Sequence, residues 1–497
     1  MVQRQTDANW TDPVDGAHVG GVLGDWTAGR GPLHRKLADG LREAILSGDL
    51  PAGSLLPAER VLAGQLSVSR STVVVAFDRL RSEGLLVSRQ GSGTRVSPDL
   101  RRPVADGSVP GGTGQAVFRR LVEGPGELIS LACAIPPCHP AVAEALTGLT
   151  PADLEVPLTR TGYHPLGLPE LRRALADLHT REGVPTAAEQ ILVTTGAQQA
   201  INLAAALFVR PGDTVVVESP GFPGVLDVFR AAGARLVPVG VDSDGARVDE
   251  IDRLARRSAV GAVFVMASFH NPVGVALGEG RRRHLASLAA ELGLPVIEDN
   301  AMEHARLGVS PPPSVGSMGD GPVVTIGSLS KVLWGGLRLG WIRASEELIG
   351  RLVRVKVIHD LGTGVVGQLV ASRLVPRLEE LRDTRQAQLL DSLATLTSLL
   401  ERRLPGWRWD RPQGGPSLWV RLPWGDTDTF AQITLRHGVE IVPGSAMTPD
   451  VASRDHLRIP FVFDRGQTEQ LVDRLAAAWA AYAPGERSRQ EPVGVVV

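Results

Sequence analysis

Cysteine is nearly absent from this chain: Cys133 and Cys138 are the only two among 497 residues. Their C-x4-C spacing beside Pro136 and Pro137 excludes a disulfide framework and a four-ligand metal pattern, so both are expected to be ordinary buried or half-buried thiols, with no metal site. Tyrosine is as scarce, with Tyr163 and Tyr482 alone, so a phenol can serve at two places only. No apolar run reaches the roughly 18 residues a membrane span needs. The start, Met1-Val2-Gln3-Arg4-Gln5-Thr6-Asp7, lacks a basic segment followed by an apolar one; no secretory signal is read and a cytoplasmic address is expected.

What is present points to several cores. Length alone suggests about three domains. Apolar residues make up 43% and charged residues 21%, with 56 Gly and 36 Pro, a globular rather than a disordered composition. The net charge of −2 is unevenly placed: residues 30–102 hold 12 Lys/Arg against 7 Asp/Glu, a balance of +5 that leaves −7 for the rest. A basic head on an acidic body implies an anionic partner for the head.

In the head, Leu37, Leu41 and Ile45 recur at helical spacing after Pro32. Gly48, Pro51 and Gly53 break that pattern, and a second helix is expected from Pro57. Ser67-Val68 reads as a turn and Ser69 as the N-cap of a third helix, Arg70 to about Glu83. In it Val73, Ala76, Phe77 and Leu80 face inward, while Ser71, Thr72, Val75 and Arg79 face out. Two short strands, Leu85–Ser88 and Thr94–Val96, then flank Arg89-Gln90-Gly91-Ser92-Gly93 as a hairpin wing. Its glycines allow backbone amides close to phosphate.

The segment from Leu33 to Ser97 resembles the winged helix-turn-helix of the GntR family. The motifs that carry this are Arg42-Glu43-Ala44-Ile45, Gly48-Asp49-Leu50, Leu56-Pro57-Ala58-Glu59-Arg60, Val68-Ser69-Arg70-Ser71-Thr72-Val73 and Gly84 through Thr94. The resemblance implies double-stranded DNA as partner, with Arg60, Ser69, Arg70, Ser71 and Thr72 at the DNA face and the wing around Gly91 at the minor groove or backbone. The expected organisation is an extension at 1–29 with no assigned role, the winged helix at 30–97, and a Pro/Gly-punctuated flexible linker at 98–127. A body follows at 128–485, then a tail at 486–497.

In the body, helical patterns alternate with the apolar runs 190–194, 214–218, 262–266, 294–298 and 323–326. This is the pattern of an α/β, mostly parallel, doubly covered sheet, whose ligands collect at the carboxyl ends of its strands. Every run ends in polar or glycine-rich residues. Gly196 opens a helix, so the amides of Ala197 and Gln198 can meet a phosphate at its positive end. Ser328, Ser330 and Arg338 complete an anion site. Phe222 can stack on a pyridine ring, Asn271 can donate to a ring oxygen, and Asp299 can keep a ring nitrogen protonated. Lys331 can form a Schiff base. Together these describe a pyridoxal 5'-phosphate site. His270 is read as a packed histidine, Arg281-Arg282-Arg283 as a solvated helix face, and Trp407, Trp409, Trp419 and Trp424 as the core of a smaller carboxyl-terminal subdomain, from about 346 to 485.

The body is similar to fold-type I aminotransferases over about 350 residues, with Tyr163 through Arg172, Asn271-Pro272-Val273-Gly274 and Leu457-Arg458-Ile459-Pro460 as further landmarks. The resemblance implies that Arg458 binds a substrate or effector carboxylate, that Tyr163 reaches the cofactor phosphate of a neighbouring subunit, and that the protein is a homodimer. One departure stands out. Members of that family usually carry a tyrosine two or three residues after the aspartate, where this chain has Ala301 and Met302; one donor to the ring oxygen is missing.

A GntR-type head on an aminotransferase-like body is the arrangement of the MocR group of bacterial transcription regulators. It implies a regulator that holds pyridoxal phosphate on Lys331, senses an amine, an amino acid or the cofactor itself, and reads two DNA half-sites as a dimer. The alternative is an active aminotransferase with a secondary DNA-binding head.

Overall fold

Apolar residues at helical spacing produce the head that the sequence suggests. In the computed structural model, which describes residues 16–24, 26, 27, 31–89, 93–98, 128–158, 161–450 and 452–487, helices α1 (Gly16–Leu23), α2 (Leu33–Ser47), α3 (Glu59–Gln65) and α4 (Arg70–Ser82) precede a two-stranded wing. The wing strands are β1 (Leu86–Arg89) and β2 (Gly93–Val96), antiparallel with Leu86 opposite Val96. Leu37 and Leu41 of α2 and Val73, Ala76, Phe77 and Leu80 of α4 are all fully buried in one cluster. Each large apolar side chain so placed contributes roughly 1.5–3 kcal/mol. Ser69 caps α4 as expected, its hydroxyl accepting from the Thr72 amide at 3.2 Å. Helix α3 begins at Glu59 rather than Pro57, because Ala58 is still extended, with ψ 142°.

The extension is not idle. Val19, Val22, Leu23 and Trp26 fall at i, i+3, i+4 and i+7 and are buried in the same cluster as α2 and α4, so the head's core begins before residue 30. Beyond Pro98 the expected flexible linker, and the wing residue Gly91, lie outside the described residues.

The body has two lobes. After the short strand β3 (Ile129–Ser130) come β4 (Ile191–Thr194), β5 (Thr214–Ser219), β6 (Arg235–Asp242), β7 (Gly245–Ala246), β8 (Ala262–Val265), β9 (Val296–Asp299), β10 (Val323–Ser328) and β11 (Gly340–Arg343). The last eight form one sheet in the order β4-β11-β10-β9-β8-β5-β6-β7, in which β11 and β7 run against the others. Side chains alternate between two buried layers. On β5, Val215 and Val217 enter one core and Val216 the other, which is why the strands read as continuous apolar runs.

The small lobe carries β12 (Arg408–Trp409), β13 (Ser417–Arg421), β14 (Val439–Glu440), β15 (Val442–Pro443) and β16 (His456–Pro460). Four of these form a sheet in the order β12-β13-β16-β15, and β14 pairs with β3. The helices Glu346–Asp360 and Val365–Leu374 pack on the large sheet. The long helix Leu378–Arg403 starts in that core, through Leu378 and Leu381, and passes into the small-lobe core from Leu389. The change of core therefore falls inside this helix rather than near 346. Trp407 is buried in the small-lobe core, with Trp409 and Trp424 packed against it. No helix among the described residues is long and apolar enough to cross a membrane.

Candidate functional site

The carboxyl ends of β4, β9 and β10 converge as the alternation requires. At the end of β4, Gly196 has φ 111°, a conformation that side-chain-bearing residues rarely adopt, and it leads directly into the helix Ala197–Phe208. A Cβ placed there would lie 3.2 Å from Arg338 Nη2. That guanidinium is anchored by donating to the Thr195 carbonyl at 2.9 Å. Ser328 and Ser330 sit hydroxyl to hydroxyl at 3.1 Å. First-turn amides, two hydroxyls and an exposed guanidinium are groups that could cradle a phosphate.

Behind the cradle lie the charged groups. Asp299 is buried, and burial pushes its carboxyl up to about 6, partly opposed by the Ala301 amide, which donates to Oδ1 at 2.9 Å, and by Lys331. Lys331 donates from Nζ to the Ala134 carbonyl at 3.1 Å. Its removal from bulk water lowers the amine from 10.5 to about 8. Phe222 is the residue before the helix Pro223–Ala231. Gln198 donates to the Gly224 carbonyl at 3.1 Å, and a Cβ on Gly224 would meet the Phe222 ring at 2.8 Å, so glycine there leaves the ring its place.

Arg458 on β16 closes the opposite side. It is 3% exposed and donates to the Ala132 carbonyl at 2.6 Å, the Leu131 carbonyl at 3.2 Å and Asn271 Oδ1 at 3.3 Å. Its Nε has no partner among the described residues. The bond to Oδ1 leaves the Asn271 amide nitrogen as the donor available to a ring oxygen. A lysine of lowered pKa, a buried carboxylate, an orienting amide and a phosphate cradle are the donor set pyridoxal phosphate requires, and these residues could hold it.

Sequence reading missed several neighbours. Cys133 interacts electrostatically with both Lys331 and Arg458, whereas Cys138 is exposed, contrary to expectation. Buried Glu218 accepts from the Met266 amide at 2.7 Å and lies 3.6 Å from His270. Desolvation raises Glu218 to about 8 and lowers His270 to about 3, so the packed histidine is neutral. The reading of Arg282 as solvated is overturned: it is fully buried and donates to the Leu277 and Ala267 carbonyls at 2.8 and 2.6 Å. Its Nη1 stands 3.6 Å from Glu298. Glu298 in turn accepts from Val315, Gly316, Asn300 and Thr325 at 2.8–3.2 Å, fixing the strand that bears Asp299.

Tyr163 is 65% exposed. In the head, Arg60, Ser69, Arg70 and Ser71 are exposed and Thr72 half-buried. The hydroxyls of Ser71 and Thr72 each lie 2.8 Å from that of Ser69 at the start of α4. Arg70 pairs with Glu59 at 3.2 Å. The head rests on the small-lobe helix Thr427–Arg436. Trp26 Nε1 donates to Gln432 Oε1 at 3.0 Å, and Arg436 donates to the carbonyls of Leu66 and Ser67. The apolar stripe from Val19 to Trp26 was a legible signal for α1; nothing in local pattern marks Gln432 or Arg436.

Comparison with known proteins agrees with this geometry. Residues 140–475 match the family described as aminotransferase class I and II, and residues 33–96 the bacterial regulatory proteins of the gntR family. The uncharacterized HTH-type transcriptional regulator YisV of Bacillus subtilis is 28% identical over 89% of this chain and 95% of its own. The probable rhizopine catabolism regulatory protein MocR of Rhizobium meliloti is 32% identical over 65% of this chain and 68% of its own. Among solved structures, LysN, an alpha-aminoadipate aminotransferase from Thermus thermophilus complexed with N-(5'-phosphopyridoxyl)-L-leucine, superposes with a TM-score of 0.65 at 26% identity. The match covers 74% of this chain and 97% of that one.

Proposed function

The chain belongs to the aminotransferase class I and II family and joins that body to a gntR-family head, and from this premise we propose a MocR-type transcription regulator that binds pyridoxal phosphate on Lys331 and adjusts its hold on DNA when a small amine or amino acid, or the cofactor itself, occupies the body. When bound, the cofactor supplies an electrophilic carbon for an amine and a ring that withdraws electrons. The amides of Ala197 and Gln198, with Ser328, Ser330 and Arg338, would hold its phosphate. Phe222 would pack on the ring, Asp299 would keep the ring nitrogen protonated, and Asn271 would donate to the ring oxygen. Arg458 would receive the effector's carboxylate as a planar fork, and that carboxylate would compete with Asn271 Oδ1 for the guanidinium.

The observation that carries this reading is that one lobe holds both Arg458 and the head. Val442 of β15 pairs with Arg458 on β16. Gly444, just beyond β15, donates to Thr427 Oγ1 at 3.3 Å, and Thr427 opens the helix whose Gln432 and Arg436 meet the head. A shift of Arg458 toward a ligand has a short packed route to α1 and α3. Tyr163 is open to a second copy of the chain, consistent with a homodimer that completes each phosphate cradle and presents two heads to two half-sites. Footprinting on the DNA upstream of the protein's own coding sequence, with and without pyridoxal phosphate, tests the reading. A paired protection that changes with the cofactor is expected; no protection in either state sinks it.

A second reading is an active aminotransferase, favoured by the full set of Asp299, Asn271, Lys331 and Arg458. Mixing the loaded protein with amino acids and a 2-oxo acid discriminates. Sustained turnover without DNA binding would select the enzyme.

A further inference from the structure

A second cavity, of about 300 Å³, lies apart from Lys331, and none of the residues assigned above to the cofactor lines it. Four pieces of chain meet there: the end of the helix Pro169–Arg181, the segment after β9, Thr325 of β10, and the start of the helix Leu378–Arg403 that passes from one lobe to the other. Its volume is at the lower end of the range for small-molecule sites, roughly 300–1,000 Å³. Leu178, Val184 and Pro311 to Pro313 supply an apolar wall.

Among the described residues the polar wall is incompletely satisfied. Arg382 is 7% exposed; it reaches Glu182 with Nη1 at 3.2 Å, but its Nε has no hydrogen-bond partner. Arg306 gives Nη1 to Ser310 at 2.9 Å and likewise leaves Nε unpaired. Ser314, 7% exposed, has an unpaired hydroxyl. Leaving such groups buried without partners is costly, and a ligand with matching acceptors would recover that cost. Desolvation pushes Glu303, on the same wall, up to about 8, so near neutrality it is a neutral carboxyl group. Burial also pushes Glu182 up, and Glu379 and Asp383 stand 3.8 and 4.0 Å from the Arg382 guanidinium, yet neither accepts a hydrogen bond from the Nε of Arg306 or Arg382.

We propose that this cavity is a second ligand site, which takes a compact aliphatic carboxylate through Arg306 and Arg382, with Ser314 as a further donor and the proline wall against its hydrocarbon part. A ligand there ties the segment that follows Asp299 to the helix that joins the lobes.

Calorimetric titration of the full-length, cofactor-loaded protein with butyrate, glutarate and inorganic phosphate tests this. Saturable carboxylate binding is expected to persist in Arg458→Leu, which removes any carboxylate binding at the cofactor site, and to be weakened about tenfold or more when Arg306→Met is added to that background. Because Arg306→Met could disturb the loop, Ser314→Leu, which fills the cavity and keeps both arginines, serves as the second variant and should weaken binding likewise. Three results overturn the proposal: binding lost in Arg458→Leu or undiminished by both cavity substitutions added to it, phosphate binding as tightly as either carboxylate, or no saturable heat up to about 20 mM, where a built site should bind.

Discussion

Arg436 donates through Nη2 to the carbonyl oxygens of Leu66, at 2.7 Å, and Ser67, at 2.9 Å, so that a side chain of the small lobe closes the carboxyl end of helix α3 in the head. Carbonyls at a helix end lack intrahelical partners and carry partial negative charge, which a guanidinium satisfies. Arg436→Met is expected to weaken docking by about 1.5–3 kcal/mol, the usual worth of hydrogen bonds to a charged group. Hydrogen exchange at residues 59–67 should accelerate, and the change in DNA affinity on adding ligand should shrink. Unaltered exchange would mean that the contacts of α1 alone hold the head.

Lys331 should capture its cofactor at unusually low pH. Burial lowers its amine from 10.5 to about 8, and only the neutral amine attacks a carbonyl. The rate at which the cofactor-free protein acquires the absorbance of the lysine-bound cofactor should therefore rise with pH and level off above about 8. Lys331→Ala should show no such absorbance. A rate still climbing steeply at pH 10 would place the lysine in ordinary solvent.

Asp299 exchanges stability for function. Its carboxyl titrates at about 6 in the folded chain against an ordinary 3.8, so the folded state binds a proton that the unfolded state has already lost between those values. Stability from this group is present below about pH 4 and is lost as the pH rises through about 6. Asp299→Asn keeps an acceptor for the Ala301 amide and abolishes the charge. At pH 7 it should stabilise the cofactor-free chain by up to about 3 kcal/mol, the equivalent of roughly two pKa units, while weakening cofactor binding. Urea unfolding of both proteins at pH 4 and pH 7 is the check: equal gains at the two pH values would refute the burial argument.

Much of this arrangement was legible in the chain because period and burial coincide. The runs Val215–Val217 of β5, Ala262–Val265 of β8 and Val323–Val324 of β10 are continuously apolar since both faces are covered. Strand β6 escaped because Pro238 and Gly240 interrupt it. It tolerates them because β7 pairs only with Val241 and Asp242, leaving Pro238 on an open edge. Strand β11, four residues inserted antiparallel between β4 and β10, has no periodicity to show. Arg282 was misread for a physical reason: its neighbours Arg281 and Arg283 do reach solvent-side carboxylates, and only the folded packing brings Glu298 and three carbonyls to the middle arginine.

That packing gives its own prediction. Glu298→Ala would strand Arg282 without a counter-charge and leave the amides of Val315 and Gly316 unpaired, a loss of about 3–5 kcal/mol for a broken buried pair. Chemical denaturation should show it. Glu298→Gln keeps one acceptor oxygen and puts an NH2 group where the second oxygen accepts; it should lose less than Glu298→Ala, and because both remove the charge, the difference between them measures the hydrogen bonds the remaining oxygen keeps.

The DNA face can be separated from its scaffold by salt. If Arg60 and Arg70 neutralise phosphates, Arg60→Ala and Arg70→Ala should each lower the slope of log affinity against log salt by about 0.9, uniformly across DNA sequences. Arg70 pairs with Glu59 at 3.2 Å in the free protein, so it must give up that partner on binding. The exposed pair is worth at most about 1 kcal/mol, less than the phosphate contact it would yield to. Glu59→Gln should then strengthen DNA binding modestly without changing the slope. A steeper slope for Glu59→Gln would mean that Arg70 stays with the carboxylate on DNA and meets a phosphate only once that carboxylate is gone.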